Sequence, residues 1–99
     1  MTIHTRSDAG RDFTQSIDYY LSQEAPRAAR QFKAEVNRVY ELISQDPYRY
    51  PADYENVRSW PLPKRFPFSV LYTIDSETEI SVIAIRHHKR RTGFWDKRL

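Results

Sequence analysis

Cysteine is absent from the 99 residues, so neither a disulfide nor a thiolate metal site is available to the chain. That absence suits a reducing compartment. Glycine occurs only twice, as Gly10 and Gly93, which excludes a glycine-rich phosphate loop. Long apolar runs are missing as well. The longest mainly apolar stretch, Phe66 to Ile74, is far short of the ~20 residues that a membrane-spanning helix takes. The opening Met1-Thr2-Ile3-His4-Thr5-Arg6 lacks the apolar segment of a secretion signal. These absences predict a cytoplasmic protein with no membrane association. The length predicts one domain over residues 1–99, above the ~70–80 residues below which a core without staples becomes doubtful.

Charge is present but unevenly spread. Residues 58–99 hold nine Lys/Arg against four Asp/Glu, a net +5, whereas residues 1–57 hold seven against nine, a net −2; together they give the overall +3. A basic C-terminal half accompanied by aromatics points to an acidic or polyanionic partner. The plainer alternative is a solvated basic face.

The apolar pattern sets out the elements. Ile3 to Arg6 reads as a short first strand, and Ser7 or Asp8 is placed to cap a helix. Ala9, Phe13, Ile17 and Leu21 follow at four-residue steps with Tyr20 beside them, one apolar stripe on a helix of about four turns. Ser22-Gln23-Glu24-Ala25 connects it to a second helix opened by Pro26, whose missing N–H is harmless in a first turn. That helix carries Ala28, Ala29, Phe32, Val36, Val39 and Ile43 at helical spacing and stops at Asp46-Pro47. Two amphipathic helices on a short connection pack as an antiparallel hairpin, and a sheet must cover what they leave exposed.

After the tyrosine-rich connection Tyr48 to Asn56 the period changes to two. Arg58, Trp60 and Leu62 alternate with Ser59, Pro61 and Pro63. Proline cannot donate to a ladder, so this strand belongs at an edge or is short. A basic turn, Lys64-Arg65, leads to a strand whose Phe66, Phe68, Val70, Tyr72 and Ile74 share one face. Asp75 to Thr78 turns the chain. In the last strand Ile80, Val82 and Ala84 lie on one face and Ile83 and Ile85 on the other, as in a central strand. It runs into Arg86-His87-His88-Lys89-Arg90-Arg91, then Thr92-Gly93-Phe94-Trp95 and a charged tail. The fold class is α+β, β-α-α-β-β-β, an antiparallel twisted sheet with a helical hairpin on one side.

Local motifs in this order resemble the ParE/RelE toxin superfamily along nearly the whole chain. Ala9-Gly10-Arg11-Asp12-Phe13 with Ile17-Asp18-Tyr19-Tyr20 is similar to the family's first helix. Ala28-Ala29-Arg30-Gln31-Phe32 and Leu42 to Pro47 are similar to the body and ending of its second. Val57-Arg58-Ser59-Trp60-Pro61-Leu62 and Phe66-Pro67-Phe68-Ser69-Val70-Leu71-Tyr72 resemble two of its strands. Ala84 to Trp95 resembles its terminal "H-x-x-R-x-P-x-x-W" signature, with Thr92 where proline is common. The resemblance implies sheet order 1-4-3-2, the toxin of a type II toxin–antitoxin (plasmid stabilisation) pair, a cognate antitoxin partner in a hetero-oligomer, and no cofactor.

Two activities follow from the resemblance, with different demands. A ribosome-dependent mRNA endonuclease needs a group to take the 2′-OH proton, cations for the developing charge and an acid for the leaving oxygen, without a metal. His87 is the preferred proton carrier, because it occupies the signature position and histidine titrates near neutrality. Arg58, Arg65 and Arg90, with Arg91, would clamp phosphate. Strand alternation puts His88 with Arg86 on the face opposite His87. The tyrosine reported near the terminus of RNase members has no clear counterpart, since Phe94 lacks a hydroxyl. A gyrase poison instead needs an intact helical hairpin and a basic C-terminal segment, both present, and no catalytic set; this reading ranks first. A purely interacting, non-toxic member of the same fold is the third possibility. The plainer roles are a hydrogen-bonded strand-end His87, a solvated turn at Arg90 and Arg91, and an ion pair from Arg58 to a helix carboxylate.

No metal site is expected, because adjacent His87 and His88 diverge and His4 is remote in sequence. Neither helix reads as a sequence-specific DNA recognition helix, since both carry mixed charge opposite a core stripe. An acidic, amphipathic antitoxin segment would order on binding. The residues assigned to antitoxin or target binding are Trp60, Lys64, Arg65, Lys89, Arg90, Arg91 and Trp95, with some rings of the cluster Trp60, Phe66, Phe68, Phe94 and Trp95 reserved for the core.

Overall fold

The computed structural model describes residues 1–53, 55–91 and 93–99. Tyr54, inside the tyrosine-rich connection, and Thr92, at the signature's proline position, lie outside the described residues. The elements run β1 (Thr2–Thr5), α1 (Ser7–Ser22), α2 (Pro26–Gln45), β2 (Arg58–Pro61), β3 (Phe68–Ile74) and β4 (Glu79–His87), followed by a 3-10 turn over Asp96–Arg98. The sheet order is β1-β4-β3-β2.

The strands depart from an all-antiparallel sheet in one place. β2–β3 and β3–β4 are antiparallel, but β1 pairs with β4 in parallel, Thr2 opposite Glu79 and Thr5 opposite Val82. Tight turns force antiparallel pairing only between strands they join. β1 enters the sheet through two helices, so no hairpin fixes its direction.

Helix α1 starts one residue early for the expected caps. Arg6 occupies the cap position without a side-chain cap bond, and Asp8 falls in the first turn. Ala9 is fully buried, and Phe13, Ile17 and Tyr20 pack on the core, but Leu21 is 50% exposed. A row at four-residue steps drifts about 40° per step on a helix of 3.6 residues per turn, so by the third step the stripe has passed to Tyr20. The helix ends in two crossed bonds, from Ala25 N–H to the Tyr20 carbonyl (2.9 Å) and from Glu24 N–H to that of Leu21 (3.0 Å). Glu24 sits there at φ 54, a left-handed closing position that glycine more often fills.

In α2 the predicted Ala29, Phe32, Val36, Val39 and Ile43 are buried. Phe32 is the centre of the aromatic core: its ring lies 4.9 Å from Phe68, 5.7 Å from Tyr20 and Phe66, and 5.8 Å from Phe13. Such pairs add about 0.5–1.5 kcal/mol beyond the area they bury. Fully buried Tyr72 donates its hydroxyl to the Pro47 carbonyl at 2.7 Å, tying β3 to the end of α2. Burial pushes that phenol up to about 12.

Strand β2 is short and lies at the sheet edge, as its prolines require. β4 is central, but its two faces are not those of simple alternation. The register with β3 slips between Leu71, opposite Ala84, and Tyr72, opposite Val82. The extra residue is Ile83, a β-bulge that shifts the alternation. Ile80, Val82 and Ile85 therefore join the helix-side core, while Ile83 and Ala84 join Val57, Leu71 and Trp95 on the far side. The bulge corrects two expected placements, Ala84 and Ile85, which exchange faces while Ile83 stays opposite Ile80 and Val82, and it puts His87 on the helix side with Ile85.

Candidate functional site

Where β1 ends, β4 would present an open edge to α1. Two side chains close it. Asp12, on the buried stripe of α1 at 7% exposure, accepts the Ile85 N–H at 3.1 Å. Arg98, from the C-terminal turn, donates to the Ile83 carbonyl at 3.0 Å. The two also meet each other: Arg98 Nη1 lies 2.7 Å from Asp12 Oδ2, and its Nη2 lies 3.2 Å from Oδ1. This is a forked guanidinium–carboxylate pair, the geometry in which arginine holds a carboxylate best. It raises the guanidinium's pKa above its usual value despite partial desolvation. Arg90 adds a longer contact to Asp12 Oδ1, 3.5 Å.

Beside this pair a cleft of about 380 Å³ opens between α1 and β4, lined by Gln15, Ser16, Tyr19, Tyr20, Phe68, Ile85, His87 and Arg90 over a floor of Asp12. Its walls are largely aromatic and aliphatic, with a few convergent polar groups, the usual make-up of a binding cleft. Tyr19 stands 60% exposed at the rim, its ring 5.7 Å edge-on from Tyr20.

His87 packs its ring 5.0 Å from Phe68 in an edge-to-face contact. Its Nδ1 accepts the Lys89 N–H at 3.1 Å. A backbone N–H can only donate, so Nδ1 must be unprotonated and the neutral ring carries its proton on Nε2. Burial lowers the His87 pKa, and its charged neighbours, Lys89 foremost, lower it further. In the folded chain the neutral form is therefore favoured. Stability from this group is complete above the unfolded value of about 6.5 and is lost as pH falls from there towards the folded pKa. Thermal stability is expected to fall from about pH 7.5 to about pH 5.5, and that of His87→Asn, which keeps an acceptor but does not titrate, should fall less over that window. An equal loss in both proteins would exclude His87 as a source of the pH dependence.

The other expected site residues are dispersed. Among the described residues Arg58 pairs with no helix carboxylate: it donates to the Tyr50 carbonyl at 2.6 Å and stacks 5.0 Å over the Tyr48 ring. It is Arg65 that finds such a carboxylate, Glu35 on α2 at 3.4 Å, while lying 5.4 Å over Phe66. Arg90 stacks 3.7 Å over Phe94, and Arg98 lies 4.9 Å from the same ring. Only His87 and Arg90 of the four proposed catalytic residues share the cleft. His88 faces Ser69, its Nε2 2.9 Å from the hydroxyl oxygen. Trp60 and Trp95, expected at an interface, are each only 7% exposed and belong to the two cores. Each leaves only a small part of its ring at the surface, Trp60 beside Arg49 and Tyr50 and Trp95 beside Val57 and Arg86. Lys64, Lys89, Arg90 and Arg91 are exposed.

Asp12 and Arg98 escaped the sequence reading. The available signal was Asp12 itself, a carboxylate on the same helical stripe as Ala9 and Phe13. An acid at a core-facing position calls for a cationic partner, but nothing in the spacing says that the partner comes from the last two residues.

Fold and cleft define a small α+β protein, a helix-covered sheet with a basic surface and an aromatic recess. A family model described as the ParE toxin of type II toxin-antitoxin system, parDE, matches residues 3–92. The chain belongs to the ParE toxin family of type II toxin–antitoxin systems. Its fold is similar to that of a chain in a solved structure described as the chromosomal ParDE TA system from P. aeruginosa, with a TM-score of 0.75, 21% sequence identity, and coverage of 88% of this chain and 95% of that one. No curated protein matches the sequence. Among the described residues no helix is long and apolar enough to cross a membrane.

Proposed function

We propose that this toxin acts on DNA gyrase, that it is neutralised by a cognate antitoxin, and that an amphipathic, acidic segment of the antitoxin fills the cleft between α1 and β4. The observation that carries the gyrase reading is the state of the would-be RNase residues. His87 has its Nδ1 lone pair engaged by the Lys89 N–H, so it holds a proton donor rather than a base towards a substrate. Arg58 and Arg65 lie away from it and are committed to Tyr50, Tyr48 and Glu35. A gyrase poison needs none of that constellation. The cleft suits the antitoxin because it joins aromatic walls to the exposed cation Arg90, with exposed Lys89 and Arg91 next to it in the chain, a match for an apolar anchor flanked by carboxylates.

The test is a supercoiling assay with purified gyrase, titrated with this chain alone and with its antitoxin complex. The chain alone is expected to block supercoiling and to accumulate cleaved DNA, with His87→Ala equally potent. No effect on gyrase, together with cleavage of mRNA on ribosomes that His87→Ala abolishes, would replace this reading by the endonuclease.

A further inference from the structure

We propose that the exposed face of α2 is a second, separate contact surface, and that its occupant is the phosphate backbone of duplex DNA. Counting charge by chain segment conceals this face, because acidic residues elsewhere in residues 1–57 outnumber the basic ones. Counting by surface reveals it. Arg27, Arg30, Lys33 and Arg38 are all exposed on α2, and among the described residues none of the four has a side-chain partner. At 3.6 residues per turn they fall within an arc of about 140°, roughly opposite the buried Phe32 and Val36, and along about 16 Å of helix.

Among the described residues most arginines elsewhere are in use, exposed Arg91 being an exception. Arg58, Arg65, Arg90 and Arg98 are held by carbonyls, carboxylates or rings of the fold itself. Of the two acids on α2, Glu35 is taken by Arg65, and exposed Glu41 lies one turn beyond Arg38, past the end of the row. Residues 27–38 thus keep a net positive face.

What lies between the cations decides the occupant. The intervening exposed positions are Gln31, Ala34 and Asn37, with no ring or aliphatic side chain larger than alanine. A protein partner needs buried apolar or aromatic anchors, and here the cleft supplies those. A face of cations and small polar groups suits a ligand recognised by charge alone. Duplex DNA carries one negative charge per about 1.7 Å of axis, so a row this long meets phosphate at every cation. The contact is independent of base sequence, consistent with a helix that enters no groove. It rests on the gyrase reading in one respect: it names DNA bound by the target enzyme as what the face touches.

The probe is a fluorescein-labelled duplex of mixed sequence, followed by anisotropy with the full chain across a salt series. Wild type is expected to bind with a log–log salt slope of about −3.6 for four phosphate contacts, and each cation neutralised should remove about 0.9 from it. The combined variant Arg27→Glu, Arg30→Glu, Lys33→Glu and Arg38→Glu should bind more than about tenfold more weakly. A control with the same change in net charge, Lys64→Glu, Lys89→Glu, Arg91→Glu and Lys97→Glu, should lose far less. The milder pair Arg27→Gln and Arg38→Gln, with unfolding temperature checked, separates lost contact from lost fold. Equal losses in the two charge-matched variants, or no DNA binding by wild type, would overturn the proposal. So would an α2 variant that keeps DNA but loses the antitoxin, which would give the face to an acidic protein. Gyrase inhibition is read separately. DNA binding through α2 with gyrase unaffected sinks the gyrase reading and leaves this inference standing; gyrase trapping without DNA binding does the reverse.

Discussion

Replacing Arg98 by alanine is expected to destabilise the fold by about 3–5 kcal/mol, the cost of leaving a buried carboxylate without its partner. For a domain of this size that corresponds to a fall in Tm of more than about 10 °C. The expectation is large because Arg98 is held in place rather than solvated. Here its side chain is only 13% exposed and that of Asp12 6%. The pair also closes the edge of β4 that β1 leaves open, through the Ile83 carbonyl and the Ile85 N–H. Arg98→Lys should lie between the two, since an ammonium keeps the charge but not the fork. Asp12→Asn on the Arg98→Ala background should recover part of the loss, because the orphaned charge is then gone. Thermal unfolding at neutral pH reads all four proteins. If Arg98→Ala unfolds within about 0.5 kcal/mol of wild type, as an ordinary surface substitution does, the pair is an ornament of the surface and this account of the C-terminus is wrong.

The second large effect is expected in binding. Tyr19→Ala should weaken the antitoxin complex by about thirtyfold or more, the range of a central aromatic anchor worth at least about 2 kcal/mol. Tyr19 is 60% exposed in the free chain, so its loss should shift stability by no more than about 0.5 kcal/mol. Arg91→Glu, at an exposed position next to Arg90 in the chain, should act mainly on the association rate and more strongly at low salt. Titration calorimetry with the purified antitoxin measures the first, and stopped-flow association the second. Unchanged affinity in Tyr19→Ala, with the fold intact, would move the antitoxin off this cleft.

The sequence carried the architecture because the apolar periods are clean. The α2 stripe from Ala29 to Ile43 and the β3 face from Phe68 to Ile74 needed only spacing to be placed, although the strand itself begins after Phe66 and Pro67. The prolines at 61 and 63 put β2 at an edge for a chemical reason, and the edge is where it lies. Three things were not legible. The parallel pairing of β1 depends on how the helical hairpin returns the chain, which no local pattern encodes. The bulge at Ile83 is a one-residue slip in a run where every residue is apolar, so alternation has nothing to register against. The Asp12–Arg98 pair spans 86 positions, and long-range polar partners leave no periodic trace. The site suffered more than the fold for the same reason. Arg58 and Arg65 looked alike as phosphate clamps, and what separates them from His87 is tertiary: a carbonyl and a ring for one, a helix carboxylate for the other. Segment-wise charge counting likewise drew the eye to residues 58–99 and away from the unpaired cations of α2.

The most direct test of the central claim, that this toxin acts on gyrase, is pulse labelling after tightly controlled induction of the chain alone in a bacterial host. Incorporation of labelled thymidine and methionine is followed over the first minutes. The account predicts that thymidine incorporation falls first, with DNA-damage signalling, and that His87→Ala changes neither the order nor the rate. A first collapse in methionine incorporation, rescued by His87→Ala, would contradict it and make translation the target.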